Sequence, residues 1–301
     1  MTYFLLAIFI GVSLVINQAA ISLILGILFS GIKNRYSLST VKVNGTNFLK
    51  AGIILLGATI SLGSVSEISV NYLPLVSLYV LMVFSIGFLL GRLLKVSKKH
   101  LILLVAGTAI CGGTAIASLA PVIKSRTEEL VSSISLVFLL NLLAIIAFPL
   151  IGQYLGMSEK DFGIFAALTI HDTASVVGAA SIYGEESVVY ASVIKLGRTL
   201  WIIPMVLSFS LYYKNKDAKY DFPYFIIFFL VFVVLGTFID LNQDILIMIK
   251  KISSALFLLG LFFIGSQFNL KTLSELTIQP VIFAIALWLI IIITTLLIFY
   301  V

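Results

Sequence analysis

Long apolar runs alternate with short polar segments along the whole chain. Most runs reach the roughly 20 residues that a helix needs to cross a hydrocarbon core about 30 Å thick. The pattern therefore predicts an all-α polytopic membrane protein with about eleven transmembrane helices. The predicted spans cover residues 3–16, 19–32, 46–63, 70–94, 101–124, 128–152, 161–183, 187–213, 221–240, 249–268 and 277–300.

The first two runs are shorter than the others, and only Asn17 and Gln18 separate them. They form either two spans or one long interrupted helix, and we favour two. No basic segment precedes the first run, and no cleavage site followed by a soluble domain comes after it. We therefore expect a retained span and not a removable signal peptide. Residues 1–301 are expected to form a single transmembrane domain.

The composition agrees with a lipid environment. Hydrophobic residues make up 61% of the chain and charged residues 11%, and the mean hydropathy is +1.19. A soluble globular chain is about half apolar and about a quarter charged, so an ordinary soluble fold is excluded. The single cysteine excludes an intrachain disulfide framework.

The positive residues predict an orientation. With a cytoplasmic N-terminus, most of the 19 Lys and Arg residues fall in inner loops or helix ends, among them Lys99 and Lys160. The exceptions in outer loops are Lys124, Arg126, Lys250 and Lys251. This bias predicts a multi-pass protein of the prokaryotic plasma (inner) membrane with its N-terminus inside. The net charge of +6 is then an orientation signal, and we expect no nucleic-acid partner.

Short segments recur between the two halves of the chain. Lys50-Ala51-Gly52 recurs as Lys195-Leu196-Gly197, and the run from Lys124 recurs loosely from Lys271. Since five spans separate the copies, the second half would be inverted, as in many secondary transporters. The pattern predicts two inverted five-helix repeats, at about 19–152 and 161–300. A competing alignment pairs the third span with the tenth, which leaves the register open.

The fifth span contains Cys111-Gly112-Gly113-Thr114 near mid-membrane depth. Glycine costs a helix about 1 kcal/mol relative to alanine, so the pair indicates either close helix packing or local unwinding. If the helix unwinds, Thr114 would cap a second half-helix whose free N–H groups form an anion site. Cys111 is expected to be a further small residue without redox chemistry.

A second interruption is expected in the tenth span, with helix packing as the alternative. Its candidate residues are Gly260, Gly265, Ser266, Gln267 and Asn269. Interrupted helices in the fifth and tenth spans would cross each other.

The eighth span carries Lys195 and Arg198 on one helix face. Each costs about 2.5–3.5 kcal/mol at the bilayer centre, so both must point inward. Asp172 in the seventh span is the expected counter-ion. One positive charge remains, which requires a bound anion, a water-filled cavity or a deprotonated lysine.

Catalytic and metal chemistry are not expected. His171 and Asp172 are adjacent in sequence, so on a helix their side chains point about 100° apart and form no nucleophilic dyad. No group of Cys, His or acidic residues has metal-ligand spacing. We therefore expect neither an enzyme nor a bound cofactor.

Together, residues 111–124, 171–177 with 191–198, and 49–57 resemble the signatures of the sulfate exporter family of bacterial conserved membrane proteins. Sulfate export was proposed for that family by association. The resemblance extends from about residue 20 to the end of the chain. It implies an inner-membrane protein similar to sodium/proton antiporters and bile-acid symporters, which pair inverted repeats with crossing broken helices. The sequence departs from the family pattern at Ser175, where glutamine is expected, and at Gly197, where a threonine commonly precedes the arginine.

The sequence therefore predicts a secondary transporter, an exporter of a small anion such as sulfate, sulfite or a sulfonate, that works by alternating access. The lipid bilayer and the anion are its expected partners, and a homodimer is expected from related folds. Asp172 and His171 would couple protonation. The alternatives are a cation/proton antiporter that uses Asp172 and Lys195, and a passive anion channel. The predicted substrate-binding residues are Lys195, Arg198, Cys111, Gly112, Gly113, Thr114, His171, Asp172 and Thr173.

Overall fold

The regular structure of the described residues is α-helical, as the apolar pattern predicts. The computed structural model describes residues 2–35, 43–213, 224–239, 241–267 and 277–300. Its helices are α1 (Thr2–Ile16), α2 (Ala19–Arg35), α3 (Gly45–Gly57), α4 (Leu62–Leu93), α5 (Lys98–Ala109), α6 (Gly113–Leu119), α7 (Thr127–Tyr154), α8 (Glu159–Thr169), α9 (Thr173–Tyr183), α10 (Glu185–Thr199), α11 (Ile202–Tyr213), α12 (Phe225–Phe238), α13 (Gln243–Ser266) and α14 (Ile278–Tyr300).

Five helical segments of the described chain are long and apolar enough to cross a membrane: α4, α7, α10 together with α11, α13 and α14. Shorter apolar helices, among them α1, α2, α3 and α12, accompany them. The chain is therefore a polytopic membrane protein. The first two predicted spans are separate helices, since Asn17 turns the chain in the left-handed conformation at φ 52°. The preference for two helices over one interrupted helix is confirmed, and that each of them crosses the membrane stays a prediction.

The predicted span 101–124 is wrong, because α5 and α6 form a helical hairpin that returns to the face it entered. Lys99 Nζ, at the start of α5, donates to the carbonyl oxygen of Lys124 beyond α6 at 2.5 Å. His100 Nε2 lies 2.5 Å from Ser132 Oγ near the start of α7. In a continuous helix the two ends would lie more than about 30 Å apart. We call α5–α6 the first hairpin.

The predicted span 161–183 is also a hairpin, formed by α8 and α9. Glu159, in the first turn of α8, accepts from the backbone N–H of Glu186 at 2.8 Å and from Ser187 Oγ at 2.7 Å. The rings of Phe162 and Tyr183 stack at 4.0 Å, side by side near the same face. Because α7 crosses the membrane between the two hairpins, this second hairpin enters from the opposite face.

The two faces carry opposite charge. The basic face, where the first hairpin enters, holds Lys98, Lys99 and Lys124; the acidic face, where the second hairpin enters, holds Glu159 and Glu185. The prediction that placed Lys124 across the membrane from Lys99 is wrong for this reason. Arg126 stays on the basic face with Lys124, and Lys160, predicted inside with Lys99, lies on the acidic face.

The helices pack as two bundles. The scaffold bundle consists of α1, α2, α3, α12 and α13, and the hairpin bundle contains α4, both hairpins, α7, α10, α11 and α14. Glycines bring the scaffold helices close together: a Cβ on Gly45 would lie 2.5 Å from Gly260 O, and one on Gly265 would lie 2.4 Å from Leu23 O. The hairpin tips lie where the bundles meet.

The predicted interruption at Gly260 and Gly265 is wrong. Helix α13 runs without a break from Gln243 to Ser266, and its glycines serve helix packing. The second break lies at 170–172, between α8 and α9. Asn269, and the second copy of the longer repeat motif from Lys271, lie outside the described residues. The inverted five-helix repeats stay a prediction.

Candidate functional site

The tips of the two hairpins meet in the membrane interior. Gly112 forms the tip of the first hairpin at φ +62°, a conformation that favours glycine. A Cβ there would also lie 3.1 Å from Val137 Cγ1 and 3.2 Å from Asp172 Cβ. At each tip one helix ends with free carbonyl groups and the next begins with free N–H groups. The contact brings four helix ends together.

Arg198 binds the carbonyl ends of both hairpins. Its Nε donates to Ala109 O at 2.7 Å, and its Nη2 donates to Thr108 O, both at the end of α5. Its Nη1 donates to Ala167 O at 3.0 Å and to Leu168 O at 2.7 Å, at the end of α8. The side chain is 1% exposed. One guanidinium group therefore joins the two tips.

Lys195 binds the second tip from the same helix, α10. Its Nζ donates to Ile170 O at 2.6 Å and lies 3.4 Å from Ala167 O, and the residue is fully buried. In the described chain neither Lys195 nor Arg198 forms an ion pair with a carboxylate. Partial negative charge at helix C-termini stabilises such cations. The inward orientation of both residues is confirmed, but Asp172 as their counter-ion is wrong.

Asp172 instead caps the N-terminus of α9. Its Oδ1 accepts from the backbone N–H of Ala174 at 2.8 Å and of Ser175 at 3.1 Å. Its Oδ2 accepts from Asn141 Nδ2 at 2.6 Å and from the Ser175 hydroxyl. Four donors thus surround the carboxylate, and they satisfy its charge without a cationic side chain. Ser175, at the family position where glutamine is expected, supplies two of them.

His171 lies away from the Asp172 carboxylate, within the hairpin bundle. Its backbone N–H donates to Asn141 Oδ1 at 3.1 Å, and its Nδ1 lies 3.1 Å from the same oxygen. Its ring centroid is 6.0 Å from that of Trp288, and its Nε2 contacts no polar group of the described residues. The side chains of the predicted coupling pair, His171 and Asp172, thus both contact Asn141, and no hydrogen bond joins them to each other in the described structure.

Two cavities lie between the bundles, beside the N-terminal ends of α6 and α9 at the hairpin tips. Their volumes are about 260 Å³ and about 230 Å³, and we call them the tip cavities. Thr46, Thr114 and Asp172 line both of them. Among the predicted site residues, Cys111, Gly113, Thr114, Asp172 and Thr173 line these cavities, whereas Lys195, Arg198 and His171 do not. The sequence identified residues of both tips, but it predicted a break only at the first tip and did not predict on which side of the tips the cavities lie.

The predicted cap by Thr114 is wrong. Helix α6 begins after Gly112, and no side chain caps its N-terminus. Thr114 lies in the first turn with its side chain exposed, and a Cβ on Gly113 would meet nothing within 4 Å. The N-terminus of α6 is therefore open toward the tip cavities, whereas Asp172 occupies that of α9.

Lys50 is the basic residue of the larger tip cavity, and the sequence analysis did not assign it to the site. Asn44 caps α3 by accepting from the backbone N–H of Thr46 at 3.1 Å, and Thr46 and Lys50 then lie one turn apart on the cavity wall. Lys50 Nζ lies 5.3 Å from the centre of the Phe225 ring. Within the described residues it forms no ion pair. The sequence signal that could have identified Lys50 is a single charged residue within the predicted apolar span 46–63.

A packed layer separates the tip cavities from the acidic face. Beyond it lies a cavity of about 590 Å³, lined by the opposite ends of α3 and α9. In this layer Phe257 packs on Gly52, where a Cβ would lie 2.5 Å from the ring, and Leu261 packs on Gly178 with a corresponding distance of 2.7 Å. Two routes thus approach the layer from opposite sides.

An ion pair joins the bundles beyond this layer. Lys250 Nζ of α13 lies 2.8 Å from Glu185 Oε2 of α10. No three His, Cys, Asp or Glu side chains of the described chain are grouped so that they could hold a metal ion. The chemistry offered by the tips is therefore that of an ammonium group, hydroxyl groups, backbone N–H groups and one carboxylate.

Comparison with known proteins gives a family. The model described as conserved hypothetical protein 698 matches residues 3–284. A UPF0324 membrane protein from Bacteroides thetaiotaomicron is 40% identical over 214 residues, 70% of this chain and 64% of that protein, so the match spans less than two thirds of the relative. One from Shewanella oneidensis is 36% identical over 248 residues, covering 82% of this chain and 78% of that protein. One from Bdellovibrio bacteriovorus is 31% identical over 280 residues, covering 91% and 86%. No solved structure matches the chain.

Proposed function

The chain belongs to the family of conserved hypothetical protein 698 and the UPF0324 membrane proteins, and from that premise we propose that it is a secondary transporter of small anions that works by alternating access. One observation carries the proposal. Two hairpins enter from opposite faces, and their tips meet beside a cavity of about 260 Å³ that contains Lys50. Interrupted helices of this kind form the midplane substrate sites of many secondary transporters.

The donors of the tip cavity favour an anionic substrate. Lys50 supplies a positive charge without a carboxylate partner among the described residues, and Thr46, Thr114 and Thr173 supply hydroxyl groups. Helix N-termini stabilise negative charge, and Asp172 already occupies the one at α9. Lys50 and Thr114 line the same cavity and would contact the transported anion. The volume suits sulfate, sulfite or a small sulfonate.

Lys195 and Arg198 lie one layer behind the anion in this proposal. They bind the carbonyl ends of α5 and α8, so they would fix the hairpin tips without touching the substrate. Their effect on transport would then be indirect. Lys50 is the cationic residue that would contact the anion.

Alternating access would arise from movement of the hairpin bundle against the scaffold bundle. The tip cavities and the acidic-face cavity lie at opposite ends of α3 and α9. A shift at the contact between Gly178 and Leu261, with release of the Lys250–Glu185 ion pair, would open the tips toward the acidic face.

The charge of the faces supports an orientation. Cytoplasmic loops carry excess Lys and Arg, so we assign the basic face to the cytoplasm of a prokaryotic cell and the N-terminus to the same side. The tip cavities lie on the cytoplasmic side of the packed layer, which suits export. The predicted homodimer is kept as part of this proposal.

Cation/proton antiport is the second candidate, because the Asp172 carboxylate lines both tip cavities. Its four hydrogen-bond donors would have to be displaced before a cation could bind. Lys195 lines neither cavity, which weakens its predicted part in ion exchange. The anion proposal requires no such rearrangement.

Transport in proteoliposomes tests the proposal. Purified protein is reconstituted with labelled sulfate, sulfite or a sulfonate, and uptake is measured with and without unlabelled anion inside the vesicles. We expect saturable uptake that accelerates with internal anion. Lys50→Met should abolish this uptake, and Lys50→Arg should keep a measurable fraction of it. The control Lys124→Met, which removes an exposed lysine of the basic face, should leave uptake unchanged.

Other outcomes identify the alternatives. Proton movement driven by a cation gradient that persists in Lys50→Met would favour the antiporter. Flux that rises with voltage, without saturation or counterflow, would indicate a channel. Full anion uptake by folded Lys50→Met would refute the assignment of Lys50.

A further inference from the structure

A cavity of about 650 Å³ lies at the basic face, apart from the tip cavities. The end of α4, the start of α5 and the end of α11 enclose it. It is lined by three exposed cations, Arg92, Lys95 and Lys98, together with the aromatic side chains of Phe88 and Phe209. The site therefore combines a concentrated positive charge with an apolar wall.

Among the described residues, no acidic side chain pairs with the cations of this cavity, Arg92, Lys95 and Lys98. Lys98 Nζ lies 5.3 Å from the ring centre of Tyr212 and 5.9 Å from that of Tyr213. Tyrosines are enriched at the depth of lipid headgroups, which places the cavity at the membrane interface.

The start of α5, directly after the end of α4, also favours an anion. Lys95 adopts φ 52° at the end of α4, where Val96 N–H donates to Gly91 O and closes a helix cap that usually contains glycine. The first turn of α5 contains Lys98 and no acidic residue, and Ser97 makes no side-chain cap. Positive residues at a positive helix end are unfavourable unless an anion lies near them.

We propose that this cavity binds an anionic phospholipid of the surrounding leaflet. The phosphate would lie among Arg92, Lys95 and Lys98, and an acyl chain would lie along Phe88 and Phe209. Basic pockets between membrane helices at the cytoplasmic side suit such headgroups, and a lipid supplies both the charge and the apolar surface that the cavity offers. The proposal rests on the membrane location and not on the transported substrate.

The lipid would support the first hairpin. Leu101 and Ile102 of α5 also line the cavity, and a Cβ on Gly91 would lie 2.0 Å from the Leu101 side chain, so α4 and α5 are in close contact there. A bound lipid would therefore stabilise the start of α5, at the membrane-surface end of the first hairpin. The tip of this hairpin lines the proposed transport site.

Quenching of tryptophan fluorescence by brominated lipids tests the proposal. The chain has only two tryptophans, and Phe209→Trp adds one in the cavity wall. The full-length variant is placed in mixed micelles that contain brominated phosphatidylglycerol or brominated phosphatidylcholine, and the parent protein supplies the background. We expect the added signal to be quenched at a mole fraction of phosphatidylglycerol many times lower than that of phosphatidylcholine.

Charge variants of the Phe209→Trp protein give the size of the effect. Each basic residue near the membrane surface contributes about a fivefold preference for anionic lipid. Lys98→Gln should therefore lower the preference about fivefold, and Arg92→Gln/Lys95→Gln/Lys98→Gln about a hundredfold. The control Lys124→Gln/Lys160→Gln/Lys251→Gln removes the same charge from exposed positions elsewhere and should keep the preference.

Three results would overturn the proposal. The first is equal quenching by the two lipids in Phe209→Trp alone, a comparison that needs no charge variant to fold. The second is an unchanged preference in the folded triple variant of the cavity. The third is displacement of phosphatidylglycerol by an equal concentration of soluble glycerol phosphate, which would identify a free phosphate ester as the ligand.

Discussion

Replacement of Arg198 by methionine tests how the hairpin tips are held together. The guanidinium group donates to four carbonyl groups, those of Thr108, Ala109, Ala167 and Leu168, in a fully buried setting. Methionine preserves much of the side-chain volume but leaves the carbonyls of Thr108 and Ala109 without their donor, whereas Ala167 O keeps Lys195 Nζ at 3.4 Å and Leu168 O keeps the Tyr79 hydroxyl at 2.5 Å. A buried polar group left unsatisfied costs about 1–3 kcal/mol. Taking the lower bound for each of the two carbonyls left without a donor, we expect Arg198→Met to lower the free energy of unfolding by about 2 kcal/mol.

Unfolding in mixed micelles of dodecyl maltoside and SDS, followed by circular dichroism, measures this loss. The control is Lys124→Met, which removes an exposed cation outside the tip and lipid sites and should change the unfolding free energy by about 0.5 kcal/mol or less. Arg198→Lys keeps the charge but not the planar fork of donors, so we expect an intermediate loss. If Arg198→Met unfolds within about 1 kcal/mol of the parent protein yet transports nothing, the residue binds substrate and the structural role is refuted.

Two further perturbations test the tip and the acidic-face barrier. Gly112→Ala places a side chain at φ +62° and ψ −126°, against Val137 and Asp172, and should cost about 1–3 kcal/mol of stability together with most transport. Gly113→Ala, where a Cβ meets nothing, should be tolerated, and equal melting temperatures of the two variants would contradict the tip geometry. Glu185→Gln breaks an exposed ion pair and should cost about 1 kcal/mol or less. It should still speed anion exchange; an unchanged exchange rate would exclude this ion pair from the barrier.

The sequence predicted the membrane class and the helices, but two predicted spans are hairpins. A run of about 20 apolar residues has the same composition whether it forms one span or two antiparallel half-helices. The charges at the ends of the runs held the missing information. Lys99 and Lys124 flank the first hairpin, and Glu159 and Glu185 flank the second. In both runs, residues of like charge at the two ends agree with a chain that returns to the face it entered.

The candidate site was predicted in part for a related reason. Glycines, an aspartate and buried cations carry a sequence signal, so Gly112, Asp172, Lys195 and Arg198 were found. The partners of the two cations are backbone carbonyls, which exist at every residue and leave no mark in the sequence. Lys50 was not assigned to the site, because the contact of α3 with the hairpin tips depends on tertiary packing.

Accessibility of the hairpin tip to a thiol reagent tests most directly whether an anion binds there. Thr114 is exposed in the tip cavities, and Cys111 is the only cysteine of the chain, so Thr114→Cys in a Cys111→Ser background gives one reactive thiol. In oriented vesicles an impermeant maleimide should label this thiol from the basic face, and the transported anion should slow labelling at concentrations that saturate transport. Labelling that no anion slows, or that proceeds equally from the acidic face, would contradict the proposed site.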